Sequence, residues 1–255
     1  MDFVKYSVNS RKAYISWNRP PVNALNTQVY KEIVEVFQDI NQRADIGVVV
    51  LSGEGRGFCG GTDMQDILGQ KRHNHNFYQS VLSNSVAAVY QCRYPVIAAV
   101  HNFALGAGLA YAAACDFIIA TAGAKFGIPE VKISIVGASG FANAVASNQL
   151  ARYMAYTGNP LTAEHLYTLG SVLRVTENET SLWDEVDSVA EEILANSSPT
   201  VQLFKTVLNL SQDQRFAEKF LMEYTINNQL LDSYDREESI KAFLEKRAPN
   251  LKHEF

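Results

Sequence analysis

An α/β fold with its strands gathered in the first half of the chain and its helices in the second is what this sequence predicts, on three observations. Short apolar runs rich in valine, isoleucine and alanine, such as residues 96–100 and 117–121, read as buried strands. Two glycine-rich turns, at residues 53–61 and 105–108, each follow such a run and lead into a helical segment. Beyond Ala138 nearly every stretch has helical spacing, interrupted at Gly158-Asn159-Pro160, Gly170 and Ser197-Ser198-Pro199.

Taken in order, residues 3–8 and 13–17 alternate or cluster as an opening hairpin with Asn9-Ser10 as its turn, and Asn18-Arg19-Pro20-Pro21 ends it. Thr27 can cap a helix from about residue 29 to 42, because Ile33, Val36, Phe37 and Ile40 recur at helical spacing. Residues 47–52 return to strand. Residues 63–68 read as a short helix, 70–76 as a polar loop and 77–91 as a longer helix. Two strands, 96–100 and 117–121, then flank a small-residue helix at 107–114. No repeat of constant period, low-complexity tract or flexible linker divides the chain. The simplest organisation is a core over residues 1–195 and a C-terminal helical region over 196–255. In that region helices at 200–210 and 216–231 carry broad apolar faces that need a surface to cover them.

The 255 residues are 47% apolar, ample for a sizeable core. A net charge of −5 with scattered lysines and arginines offers no basic stripe, so neither nucleic acid nor a membrane surface is an expected partner. Cys59, Cys92 and Cys115 are odd in number and far apart, which suits reduced thiols in a cytoplasmic protein. The first residues lack the layout of a signal peptide and the last match no sorting tail, so the sequons at Asn178 and Asn196 are expected to carry no glycan. Residues 94–120 are long and apolar enough to suggest a membrane span, but His101, Asn102, Asp116 and the glycines favour a buried strand, turn, helix and strand.

Several motifs resolve into weaker chemistry than they suggest. Gly55-Arg56-Gly57-Phe58-Cys59-Gly60 has the form of a dinucleotide fingerprint, yet Phe77-Tyr78-Gln79-Ser80-Val81-Leu82, about twenty positions on, lacks the acidic residue that would hold a ribose. His73-Asn74-His75 has no further spaced ligands, so no metal is expected. Ser139 is one residue short of nucleophile-elbow spacing, and the cysteines sit in apolar contexts that raise a thiol pKa. Glu130 differs, because it follows the second glycine turn in a largely apolar neighbourhood where a carboxylate is costly without a task. Desolvation there favours the protonated form, which suits a group that moves protons on carbon. The competing reading is an exposed glutamate paired with Lys125 or Lys132. The free N–H groups at the two helix starts that follow the turns would attract an anion, and two such starts facing one point would make an oxyanion hole.

Asn23-Ala24-Leu25-Asn26, Phe58-Cys59-Gly60-Gly61-Thr62-Asp63, Pro95-Val96-Ile97-Ala98-Ala99-Val100 leading into Ala104-Leu105-Gly106-Ala107-Gly108, Cys115-Asp116 and Pro129-Glu130 come in the order and spacing of the crotonase (enoyl-CoA hydratase/isomerase) family. The chain resembles that family along essentially its whole length. The resemblance implies a spiral of ββα units, C-terminal helices that build homotrimers or dimers of trimers, and an acyl-CoA thioester as substrate with no resident cofactor. It also implies that the backbone N–H groups of Thr62 and Ala107 form the oxyanion hole and that Glu130 is the catalytic acid/base. Asn23, Ala24 and Leu25 match the segment that lies against the CoA adenine, and Gly61, Asp63 and Gly106, which would shape the turns, complete the CoA-binding set.

The departures bear on the reaction. Hydratases of the family carry a second glutamate in the helix after the second turn, where this chain has Ala110 between Leu109 and Tyr111. Adding water works best with two carboxylates, whereas moving a double bond can be done by one. Isomerisation of an enoyl-CoA through a thioester enolate is therefore the first expectation and a hydratase or related lyase the alternative. The reading of another class is a non-catalytic scaffold that binds CoA, RNA or a protein. Ser134 and Gly137 stand where the family often has glycine and proline, and the loop at 70–76 is expected to cover the acyl chain. Ala107 replaces a usual glycine, so a glycine-only backbone angle there would be strained.

Overall fold

The chain opens, in a computed structural model that describes residues 1–69, 75–212, 225, 228 and 231–250, with β1 (Val4–Asn9) and β2 (Lys12–Trp17). They pair antiparallel from Val4 with Trp17 to Asn9 with Lys12. Ser10 and Arg11 have φ of +49° and +65°, as a two-residue type I′ turn requires, so the turn lies one residue beyond Asn9-Ser10. Then come β3 (Ala24–Leu25) and α1 (Thr27–Gln42). Asn26 rather than Thr27 caps α1, its side chain accepting from the Val29 N–H at 3.0 Å. Thr27 instead gives its N–H and hydroxyl to Asp66 Oδ2, at 2.7 and 2.9 Å.

Next are β4 (Val48–Gly53), β5 (Gly61–Thr62), α2 (Met64–Leu68) and α3 (His75–Tyr90). They are followed by β6 (Val96–Val100), β7 (Phe103–Leu105), α4 (Ala107–Ala114), β8 (Phe117–Thr121) and β9 (Lys125–Gly127). A 3₁₀ turn (Pro129–Ile133) leads to α5 (Ser139–Val145), α6 (Asn148–Thr157), β10 (Leu161–Thr162) and α7 (Ala163–Thr168). β11 (Arg174–Thr176), α8 (Glu179–Leu194), α9 (Ser198–Gln212) and α10 (Tyr234–Glu245) complete the described elements. The two short strands in the second half carry too few residues to show a period. Most of the expected helix at 216–231 lies outside the described residues.

The largest sheet has the order β1-β2-β4-β6-β8-β11, parallel except at the β1 edge. Between its strands the chain adds one short strand to a small sheet and then makes a helix: β2-β3-α1, β4-β5-α2 and β6-β7-α4. This is the expected ββα spiral. Its units start at Lys12, Val48 and Val96, at unequal intervals, which is why the sequence shows no constant period.

Both faces of the sheet are covered at its centre, so β4, β6 and β8 are buried, largely apolar runs, whereas the edge strand β1 alternates. On one side Val48, Val50, Ile97 and Ile119 pack on Leu182 and Val186 of α8. On the other, Val49, Leu51, Ala98 and Val100 join a core with Ile33, Phe37, Val86 and Leu109 from α1, α3 and α4. The apolar stretch at 94–120 is thus β6, β7, α4 and β8. Among the described residues no helix is long and apolar enough to cross a membrane.

Two buried charges tie α9 and the N-terminal residues to the body of the fold. Lys205 of α9 donates to Asp116 Oδ2 at 2.7 Å and to the Tyr94 carbonyl at 3.0 Å, and the same carboxylate oxygen accepts from the Val96 N–H. Glu32 of α1 accepts the N–H groups of Asp2, Phe3 and Val4 at 2.9, 3.0 and 2.8 Å and the Gln28 amide at 3.0 Å. Burial works to raise the Glu32 pKa, but these bonds outweigh it and hold the carboxyl below its ordinary value. The stabilisation is therefore full above the pKa of an unfolded glutamate, about 4.3, and is lost as pH falls below that through the folded value. Glu32→Gln should cost about 1–3 kcal/mol in urea denaturation at pH 7. At pH 3 the gap to wild type should narrow; an unchanged gap would mean that the charge contributes nothing.

Candidate functional site

The first glycine turn leaves β4 and is held from below. Trp17 Nε1 donates to the Phe58 carbonyl, and Asn23 Nδ2 donates to the carbonyls of Glu54 and Gly57 at 2.7 and 2.8 Å. Cys59 then runs parallel to β7, bridged to Ala104: its N–H donates to Phe103 O at 3.1 Å, and Leu105 N–H donates to Cys59 O at 2.9 Å. This register brings the two turns out level with each other. A Cβ on Gly61, whose φ is +110°, would stand 3.2 Å from the Leu105 carbonyl and 4.0 Å from the Ala107 nitrogen. A Cβ on Gly108 would come within 2.6 Å of the Cys59 carbonyl, so glycine there lets α4 seat against the first turn.

Thr62 and Ala107 both line this junction. The Asp63 N–H donates to Leu25 O at 2.8 Å, across to β3, and the alternation of an extended chain turns the Thr62 N–H away from β3. Ala107 is the first residue of α4, and the first bond inside that helix is from Ala110 N–H to Gly106 O at 3.1 Å. The Ala107 N–H therefore has no partner within its own helix and sits at the positive end of the helix dipole. The strain expected at Ala107 does not arise, because the left-handed angle falls on Gly106, at φ +54°.

Glu130, on the 3₁₀ turn, completes the junction. Its carboxylate lies so close over Gly106 that a Cβ there would collide with Oε1 and stand 3.3 Å from Cδ. Neither Lys125 nor Lys132 pairs with it; both are exposed, and the Lys132 stem lies over Gly158. A cavity of about 110 Å³ opens here, lined by Gly61, Thr62, Gly106, Ala107, Ala110 and Glu130, with apolar walls from Ile67, Leu82, Val86, Ile133 and Phe141. Among the described residues that line it, Glu130 and Arg236 alone carry charge. Ala110 contributes only its methyl to the wall. Tyr78 is in the wall as well, and burial of its hydroxyl pushes its pKa up, so it remains a neutral phenol.

The remaining expected residues divide by where their side chains go. β3 pairs Ala24 with Gly61 and Leu25 with Thr62, so this segment does run beside the first turn. Asn23 and Leu25 are buried, however, and the Asn23 amide is committed to the turn and to the Arg19 N–H. Asp63 caps α2 through the Gln65 N–H at 2.7 Å and pairs with Arg19 at 2.5 Å. Within residues 23–25, then, Ala24 alone keeps side-chain surface. The dinucleotide-like turn runs into β5 rather than a helix, and burial pushes the thiols of Cys59 and Cys92 up to about 12 and about 11, unlike those of nucleophiles. Among the described residues no three His, Cys, Asp or Glu gather as metal ligands, and His73 and residues 70–74 of the polar loop lie outside them. The sequence reading missed Tyr78 and Arg236. The one available signal was a lone cation in the acidic run Ser233-Tyr234-Asp235-Arg236-Glu237-Glu238.

The enoyl-CoA hydratase/isomerase family model matches residues 8–254. The chain is 33% identical over 254 residues to (E)-benzylidenesuccinyl-CoA hydratase of Thauera aromatica, covering 96% of this chain and 97% of that protein. The crystal structure of an enoyl-CoA hydratase from Bacillus anthracis matches with a TM-score of 0.77 at 27% identity, over 98% of this chain and 99% of that one. One from Mycobacterium avium subsp. paratuberculosis shares the fold with a TM-score of 0.86 at 24% identity, over 98% of each chain.

The fit of Glu130 over Gly106 can be tested by a double-mutant cycle. Gly106, at φ +54° and ψ −118°, lies outside the left-handed helical well, so alanine there is costly for the backbone alone. Gly106→Ala should lose measurably more in urea denaturation in the wild-type background than in Glu130→Ala, since only in the former must the carboxylate move; equal losses would place the carboxylate elsewhere.

Proposed function

The chain belongs to the enoyl-CoA hydratase/isomerase family, and we propose that within it this protein shifts the double bond of an enoyl-CoA, with Glu130 as the single acid/base. The observation that carries this reading is that Glu130 is the one carboxylate among the described residues lining the cavity, with Ala110 where a second would stand. The thioester carbonyl would accept hydrogen bonds from the N–H groups of Thr62 and Ala107. Glu130 takes a proton from carbon 2 of a 3-enoyl-CoA, and the electron pair spreads onto the thioester oxygen between the two donors. The same proton returns at carbon 4, leaving the double bond conjugated with the carbonyl. Each oxyanion donor is worth about 10²–10³ in rate, and the general base about 10²–10⁴. Ala24 and the backbone of residues 23–25 would border the CoA, beside Gly61, Asp63 and Gly106.

Water addition is the second reading, favoured by the name of the Thauera relative, a hydratase. Ultraviolet absorbance separates the two: isomerisation creates conjugation from 3-enoyl-CoA, whereas hydration removes it from 2-enoyl-CoA. Glu130→Gln should lower turnover by about 10²–10⁴ while acyl-CoA still binds. Equal turnover in that variant would exclude Glu130 as the base, and binding with no turnover of either substrate would favour a non-catalytic role.

We read the protein as a cytoplasmic homotrimer or dimer of trimers. Support comes from α9, which leaves Leu203, Phe204 and Val207 exposed on one face while Lys205 is buried on the other. Sedimentation equilibrium should return a trimer or hexamer; a monomer would overturn this.

A further inference from the structure

We infer that Arg236 is an anion subsite of the cavity, so that the acyl group this protein accepts carries a carboxylate of its own: the substrate is a monothioester of a dicarboxylic acid. The inference rests on the reading of the cavity as an acyl-CoA site.

Arg236 lies in the first turn of α10 and is only 4% exposed. Its guanidinium has five N–H donors. Nη1 reaches the Leu231 carbonyl at 3.4 Å and Nη2 the Ile67 carbonyl at 3.2 Å, both neutral acceptors and both long beside the 2.7–2.9 Å typical of a charge-assisted bond. Nε is buried and has no acceptor. No carboxylate among the described residues forms an ion pair with it, and Asp232 attracts it only from a distance. Its position compounds the cost, because the N-terminus of a helix repels a cation. Burial accordingly holds the guanidinium below its ordinary pKa.

A buried cation in this state is costly unless an anion joins it. An apolar side chain would pack as well against the neighbouring cluster of Ile67, Ile133 and Ile240. The cavity places Arg236 in the same walls as Glu130, and the Ser134 and Ser239 hydroxyls, 2.9 Å apart, tie α10 to the turn that carries Glu130. With Glu130 and Arg236 the charged groups among the described residues of an otherwise apolar lining, a substrate carboxylate is repelled by Glu130 and drawn to Arg236. That polarity orients the acyl chain with its thioester at the glycine turns.

Calorimetry on the intact protein tests this with saturated, unreactive acyl-CoA thioesters of equal chain length, one ending in a carboxylate and one in a methyl. Wild type should bind the carboxylated thioester tighter by about tenfold or more, the scale of one hydrogen bond to a charged group. Arg236→Met should erase that ratio and Arg236→Lys should keep part of it. Equal or weaker binding of the carboxylated thioester by wild type overturns the inference, whether or not the variants fold. A ratio that persists in folded Arg236→Met overturns the assignment to this residue. If neither thioester binds, the acyl-CoA reading itself fails and this inference with it.

Discussion

The site depends on one short piece of parallel pairing, the bridge between Cys59 and Ala104. Two hydrogen bonds across it, Cys59 to Phe103 and Leu105 to Cys59, bring two chain reversals out at the same level. Everything chemical follows from that register. With a shift of one residue, β5 and the start of α4 would present different amides, and Gly108 would no longer face Cys59. The pairing is buried, and the turn beside it is braced by Trp17 and Asn23, so slippage would expose a row of unsatisfied backbone groups.

Glycines in this arrangement serve close approach as much as flexibility. Gly106 carries a left-handed angle and also leaves the space in which the Glu130 carboxylate sits. Gly61 brings the end of the first turn against the start of the second, and Gly108 seats α4. A methyl at any of these three positions would push apart the two turns and the Glu130 carboxylate.

Electrostatically the cavity is sparse. Its walls are apolar, its two backbone donors are neutral, and its described charges are Glu130 and Arg236. In such surroundings each charge acts with little screening, and in the proposed reaction the fixed amides would not have to reorganise as negative charge builds on a substrate oxygen. Membership of the enoyl-CoA hydratase/isomerase family suits a cavity of this lining, and with Ala110 in the wall Glu130 is the one carboxylate among the described residues that line it.

Much was legible before any coordinates. Buried parallel strands such as β6 and β8 announce themselves as continuous apolar runs, and α4 between them reads as small residues after a glycine turn, so their bounds agree with the sequence reading. Glu130 was conspicuous because a carboxylate amid isoleucines and valines is costly, and the order of motifs identified the family. Other features depend on contacts between distant segments. Asn26 displaces Thr27 as the cap of α1 because Asp66, far along the chain, takes the threonine, and β11 forms only because β8 offers it an edge. Asn23 becomes a strut when the first turn folds back on it. The sequence by itself determined the α/β class and the family and singled out Glu130 as a candidate, since periodicity, composition and motif order are local properties. Which residues line the cavity, which glycine takes the positive φ and that Arg236 joins the same wall as Glu130 were decided by the tertiary structure alone, because burial and convergence are set by packing between segments remote in sequence.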